Sequence, residues 1–425
     1  MALAKIVRAL AKTARDIMGF RGCWSGRRVR TDGIARAVPV PGIFATPLEW
    51  PLHPFRHTLA MPFDCDHRRT FGPDVCPAAC HAVARGAFAY VRADKVGDLP
   101  LAEPGSLDVF VLDMNHGWPN IGHDAVVMAV RSAACDMADA IVAAGLRVRV
   151  VSCDVRRGFV VPPLPDGRGG LYLGTGGPGH IDPRQNDGGD GSQGIVESPA
   201  WESPLYTLFD AVHAHPDAAL IGICHTFGVM NRWLGVADPV RRGPEKGGKS
   251  AGIVDTVLTP ASAAHPWFSG LAHDVSDEPG HAGRIRVLDS RLYDLLPRRS
   301  MAGMVTPLAF ETGPAGAAGE AVTMWEAARD RTGTMPRVFG VNHHPEIVNR
   351  ARALRILWDK RSRGEVSHEW YRERADAMAE TLRDDAADRG LDVTSRYTLF
   401  GPLRYHLERQ IALRGVAPSA GRVSS

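Results

Sequence analysis

The stretch "LIGICHTFGVM", residues 220–230, decides the fold. The apolar run "AALIGIC" (218–224) has strand length and stops at Cys224, and "TFGVMNRWLG" directly after it reads as a helix. A strand that gives way at once to a helix must turn sharply at its carboxyl end, and such a turn exposes the residue at its tip. That residue is a cysteine, which by itself is often a plain core residue. Its neighbours along the chain therefore decide whether Cys224 is a nucleophile.

Outward from this segment the chain alternates. Strand "LDVFVLDMN" (107–115) is followed by a helix over 124–145 that Gly145 ends, then by strand "RVRVVSCDV" (147–155). Next comes "GLYLGTGGPG" (170–179), a strand ending in a glycine-rich loop, and helix "SPLYTLFDAVHAH" (203–215) leads into the Cys224 strand. Far downstream, "VFGVNHHPEIV" (338–348) is another strand with its exit loop. Alternating strands and helices predict an α/β fold, a mostly parallel sheet with helices on both faces. Ligands of such sheets sit at the carboxyl ends of the strands, where "GTGGPG", "GICHT" and "NHHPE" all fall.

The remaining segments decorate this pattern. The polar Gly/Asp stretch 180–200 reads either as a lid or rim over the site or as a disordered surface insertion. Residues 250–260 and 283–311 read as short strands, and "VTMWEAARD" (322–330) as helix-like. One helix is expected near 77–92 in an otherwise irregular, Pro-, Gly- and Arg-rich start, and the tail over 349–415 as mostly helical. Within that tail "HEWYRERADAMAE" (368–380) predicts an amphipathic helix packing Trp370 and Met378 on the body, and the last ten residues as a disordered end. These features divide the chain into an N-terminal extension (1–106), an α/β domain (107–360) and a helical C-terminal extension (361–425).

Composition narrows the function. The 425 residues are 44% hydrophobic and 23% charged, with a net charge of +3. Residues 1–37 carry nine Lys/Arg against Asp16 and Asp32, so the body has no basic character of the kind that binds nucleic acid. The start reads as a basic amphipathic helix in which Lys5, Arg8 and Lys12 interrupt any signal-peptide core, and no apolar run is long enough to span a membrane. Seven cysteines, odd and sparse, point to a reducing compartment and a cytoplasmic protein. Cys65, Cys76 and Cys80 cluster with His67 and His81, but their spacing fits no common zinc module, and no metal or cofactor is expected.

A thiol that cleaves an amide or ester needs a base, a group that orients the base, and donors for the oxyanion. At a helix start Cys224 has the geometry that activates a thiol. Backbone N–H of His225, with that of Gly176 or Gly177, is the candidate oxyanion hole. His344 is the candidate base and Glu346 its partner, stiffened by Pro345; His343 competes, but strand alternation puts 343 and 344 on opposite sides.

The order of a glycine-rich strand end, a G-x-C elbow and "HHPE" resembles the class I glutamine amidotransferase family over about residues 107–350. The resemblance implies a flavodoxin-like fold, a Cys224–His344–Glu346 triad and an oxyanion loop at "GGPG" (176–179). It also implies hydrolysis of glutamine or a related amide to the acid and ammonia, often with a synthase partner that consumes the ammonia. The family commonly continues its elbow as Cys-x-Gly-His-Gln, whose Gln helps to hold the substrate. Thr226, Phe227 and Gly228 occupy those positions here, so the resemblance makes them the substrate-binding positions and predicts an altered substrate preference.

One motif points elsewhere. "GPEKGGKS" (243–250) fits the P-loop pattern, but strand-like "AGIVDTVLTP" follows it where a phosphate-binding loop needs a helix. The segment reads as a loop after the elbow helix.

Overall fold

The computed structural model describes residues 86–276, 283–347, 350–382 and 385–415. The expected basic helix at the start and the Cys65, Cys76, Cys80, His67 and His81 cluster lie outside these residues, as does the disordered end.

Six parallel strands come first in the main sheet: β1 (Phe88–Ala93), β2 (Ser106–Asp113), β3 (Arg147–Asp154), β4 (Gly170–Gly174), β5 (Ala218–Ile223) and β12 (Pro336–Val341). Between β5 and β12 the chain makes β6 (Ala237–Arg241), β7 (Ser250–Leu258), β8 (Arg284–Arg291), β9 (Tyr293–Pro297), β10 (Thr306–Thr312) and β11 (Ala318–Arg329). The ten-stranded order is β1-β3-β2-β4-β5-β12-β11-β10-β7-β8, in which the strands from β11 onward are antiparallel, while β6 and β9 form a separate ribbon. The fold is thus α/β with a mostly parallel large sheet.

Helices cover both faces. On one lie α1 (Ile121–Asp136), α2 (Ala138–Ala143) and, after α3 to α9 along the chain, the C-terminal α10 (Gly401–Gly415). Val126, Val130 and Ile141 meet Leu403 and Leu407 there, over Val109, Val148 and Leu171. The opposite face carries α3 (Glu202–Ala214) and α4 (His225–Leu234), whose Leu205, Phe209, Phe227 and Met230 pack on Leu112, Val151 and Leu220. Two apolar helix stripes on a sheet buried from both sides are what near-continuous apolar strands such as "AALIGI" require. The helices α5 (Pro260–Ala264) and α6 (Phe268–Ser276) flank the antiparallel part; α7 (Arg350–Ser362), α8 (His368–Thr381) and α9 (Asp385–Ser395) complete the tail. As expected, α8 turns Met378 into a small core with Leu357 and Leu288, against which Trp370 packs.

Two helix expectations are corrected. Residues 88–92, read as the end of a helix near 77–92, lie in edge strand β1, in register with Phe88 opposite Val148; the earlier part of that expected helix, 77–85, lies outside the described residues. "VTMWEAARD", read as helix-like, lies mostly in β11. Its Met, Glu and Ala favour a helix locally, but both faces of this strand are buried, and pairing with β10 and β12 overrides the propensity.

Candidate active site

Three neighbouring parallel strands deliver the three motifs. In β4, β5 and β12 the residues Gly174, Gly222 and Gly340 stand opposite one another in register. A Cβ on Gly174 would collide with Thr226, on Gly222 with Met230 Sδ, and on Gly340 with Phe227. The three glycines therefore form a floor without side chains, and the first turn of α4 settles directly on it. That close approach forces the turn at Cys224.

Cys224 has φ +50° and ψ −102°, a conformation that a side chain adopts only where its surroundings hold it. Its N–H donates to the Val341 carbonyl at 2.8 Å, which ties the elbow to β12. His225 begins α4, where helix geometry leaves its N–H without an intrahelical acceptor.

His344 leaves the end of β12, one strand from Cys224. Its Nδ1 lies 2.8 Å from Oε1 of Glu346, and both side chains are buried. With Nδ1 taken by Glu346, Nε2 is the nitrogen left for the Cys224 thiol. Burial alone would depress the imidazole, but Glu346 and then Cys224 raise it well above its ordinary value. Glu346 sits at the start of α1: a Cβ on Gly122 would lie 2.6 Å from its Oε1. Asn120 caps that helix through Gly122 N–H at 2.6 Å, and the helix's positive end favours the Glu346 carboxylate.

His343 points away. Its Nε2 lies 3.5 Å from Oγ1 of Thr398, and burial, then the neighbouring His344, pushes it down to about 3. The expected alternation of the two histidines is what the chain shows.

Gly176 joins the halves. A Cβ there would lie 2.8 Å from Cε1 of His344, 3.5 Å from Cβ of Cys224 and 3.7 Å from its Sγ. The structure thus brings Cys224, His344, Glu346 and Gly176 together, with Gly177 and His225 lining the same cleft. From below, fully buried Arg156 donates to the carbonyls of Met114 (2.9 Å) and Pro178 (2.6 Å) and pairs with Glu197 through two bonds of 2.8 and 2.9 Å. Glu197 also accepts from Asn186 at 2.7 Å. Of the two readings of 180–200, this network fits the rim: Ile181 and Gln193 line the cleft, and Gln193 accepts from Gly179 N–H at 2.6 Å.

Thr226, Phe227 and Gly228 pack beneath the elbow. They do not line the cleft with Cys224. Thr226 Oγ1 donates to the Thr175 carbonyl at 2.8 Å, and buried Phe227 packs against Trp325 with ring centroids 5.3 Å apart. A side chain at 228 would meet Ile181, whose Cδ1 lies 2.6 Å from the place of its Cβ. These residues fill the floor under the elbow, for the packing reason given by the three glycines.

The far wall of the cleft went unread in the sequence. It consists of Lys249, Ser290, Arg291, Leu292, Tyr293 and, at the end of β12, Asn342. Lys249 belongs to the P-loop-like stretch, and as expected a strand, β7, follows it rather than a helix. Its motif drew attention to the lysine for a chemistry the fold does not support, and nothing local ties it to Cys224. Among the described residues no group of three or more His, Cys, Asp or Glu could hold a metal ion, and no helix is long and apolar enough to cross a membrane.

No protein-family model matches the chain, and no curated protein does. Among solved structures it is similar to a glutamine amidotransferase from Thermotoga maritima, at 15% identity and a TM-score of 0.39, over 71% of this chain and 98% of that one. It is also similar to a candidate GMP synthase component from Thermoplasma acidophilum (14%, TM-score 0.32, 64% of this chain and 94% of that one). A candidate ThuA-like protein from Bacteroides uniformis is a third (9%, TM-score 0.31, 61% and 92%). All three scores lie below 0.5, so the site's own geometry has to carry any functional reading.

Proposed function

We propose that the chain is a cysteine-dependent amidohydrolase of the class I glutamine amidotransferase type. The observation that carries this is the strained Cys224 at the start of α4, facing a buried His344–Glu346 pair that leaves the adjacent strand. The order β3-β2-β4-β5-β12, which is 2-1-3-4-5 when these five strands alone are numbered, supports the flavodoxin-like reading of the fold.

In this reaction Cys224 attacks the amide carbon and its proton passes to His344 Nε2. The tetrahedral oxyanion is held by backbone N–H groups of His225 and of Gly176 or Gly177. His344 returns the proton to the leaving nitrogen, and ammonia departs from a thioester. His344 then takes a proton from water, which attacks the thioester, and the acid and free thiol result. Glu346 holds the imidazole's orientation and supports its positive charge. This half-reaction requires no metal or cofactor. The substrate is glutamine or a related amide, the setting is cytoplasmic, and a synthase partner that receives the ammonia fits the scheme. The division into an extension over 1–106, an amidotransferase-like domain over 107–360 and a helical extension over 361–425 is part of the same proposal.

The test is ammonia release from a panel of side-chain amides, glutamine included, by the full chain and by its Cys224→Ala variant. Release that vanishes in the variant is expected. Release that survives it would remove the nucleophile and with it this function.

A further inference from the structure

The far wall of the cleft has a one-sided chemistry. Lys249 stands just before β7, and Ser290 and Arg291 end β8; the two strands pair with Ser250 opposite Arg291 and Ala251 opposite Ser290. This antiparallel strand pair therefore presents a lysine, a serine and an arginine to the same space as Cys224. Arg291 is engaged behind the wall, with Glu311 at 2.9 Å and Asp289 and Asp294 at 3.3 and 3.4 Å. Asp289, a neighbour of Lys249 by charge, is not a lining residue and accepts from Ser250 Oγ at 2.6 Å.

Four lining residues keep buried polar atoms without a hydrogen-bond partner: Oγ of Ser290, Nδ2 of Asn342, both ring nitrogens of His225, and Nε of Arg291, which is held in its ion pairs. Buried polar atoms are nearly always paired, and such orphans in a cleft mark where a ligand supplies the partner. Neither Asp nor Glu is among the lining residues. The cleft thus offers a cation and the polar groups of Ser290, Asn342 and His225 to an anion, and no lining carboxylate to an ammonium.

We propose that this wall is a carboxylate site, in which Lys249, assisted by Ser290 and Asn342, holds the distal carboxylate of a short ω-amide acid whose amide carbon reaches Cys224, and that it favours substrates without an amino group beside that carboxylate over zwitterionic glutamine. The inference rests on the reading of Cys224 as the nucleophile. An amino group on the carbon that bears the carboxylate would be carried toward Lys249, where like charges repel. Burial pulls the Lys249 ammonium down to about 8, so it is charged at neutral pH, and an anion beside it would strengthen that charge. For glutaramate, the amino-free analogue of glutamine, the balanced reaction is amide plus water to glutarate plus ammonia, with the acyl group passing through the Cys224 thioester and no change in oxidation state.

The test uses the full chain and two product-like probes, glutarate and its amino analogue glutamate. Iodoacetamide labelling of Cys224, mapped by peptide mass, is measured against increasing concentrations of each, and calorimetry on Cys224→Ala follows their binding without the thiol. Glutarate should protect and bind at concentrations about tenfold or more below those of glutamate. Lys249→Met should remove most of that preference, and Lys249→Arg should restore part of it. Equal or better protection by glutamate, no binding of either probe, or a preference unchanged in Lys249→Met would each overturn the carboxylate site. A Cys224 that resists labelling while glutarate still binds Cys224→Ala selectively would overturn the proposed reaction and leave the carboxylate site standing.

Discussion

Glu346 holds Nδ1 of His344 at 2.8 Å while lying over Gly122, so one carboxylate meets both an imidazole and the positive end of α1. The pair fixes a pH dependence with a definite sign. Burial opposes the charge on His344, but Glu346 and Cys224 raise it well above 6.5. A histidine raised on folding contributes stability that is fully present below its unfolded value and is lost as pH rises through the folded one. In Glu346→Gln the His344 midpoint, followed by NMR, should fall. The difference in melting temperature between the parent and this variant should be largest below pH 6.5 and shrink at alkaline pH. An unmoved midpoint would mean that Glu346 does not support the charge.

Gly176→Ala tests the closest packing in the site. Its Cβ would lie 2.8 Å from Cε1 of His344, so the ring must shift. A displacement of this kind costs about 10²-fold in kcat/KM where base and nucleophile are held in register. Full activity in Gly176→Ala would show that the imidazole has room to move.

The two adjacent histidines separate by role. His344→Ala should lose about 10²-fold or more in turnover, since acid and base functions vanish together. His343→Ala should keep most of its turnover and lose stability instead, because His343 is packed toward Thr398. Equal kinetic losses at the two positions would contradict the assignment.

Residues 226–228 make the opposite prediction to the one their position in the family pattern suggests. Phe227→Ala should cost about 3–5 kcal/mol of stability, as deletion of a large buried aromatic does. Thr226→Ala should cost about 1 kcal/mol through its bond to the Thr175 carbonyl. Neither should change which amide is preferred. Gly228→Gln should destabilise, since its side chain meets Ile181, and should not improve the use of glutamine. A gain in glutamine turnover by that variant would return these positions to the substrate.

Breaking the buried Arg156–Glu197 pair should loosen the rim. Arg156→Met leaves Glu197 as an uncompensated buried charge, a loss of about 3–5 kcal/mol. It also removes the donors to Met114 and Pro178, so limited proteolysis should cut within 180–200 far sooner than in the parent. An unchanged cleavage pattern would show that the rest of the loop network suffices.

What the sequence made legible follows the range of the interactions. Cys224, His344, Glu346 and the loop at 176–177 lie at ends of parallel strands, and short motifs announce strand ends. The packing of Thr226 and Phe227 was not legible, because their contacts, Gly174 and Trp325, lie far along the chain and only strand register brings them near. Lys249, Ser290 and Arg291 were missed for a similar reason: β7 and β8 pair antiparallel at the far end of a ten-stranded sheet, and no local pattern says which strand end will face Cys224. In β11 and β1 local helix preference misled outright, since neither strand exists without its partners.

The bond from Cys224 N–H to the Val341 carbonyl has a further consequence. It lies inside the sheet, between β5 and β12, with strands on either side of both. Amide hydrogens in such positions exchange with solvent only when the whole sheet opens, whereas those of surface loops exchange through small local excursions. The Cys224 amide should therefore belong to the slowest-exchanging class in the chain, and denaturant should abolish the preference of labelling for Cys224 over buried Cys135 and Cys153 together with the sheet structure in one cooperative transition.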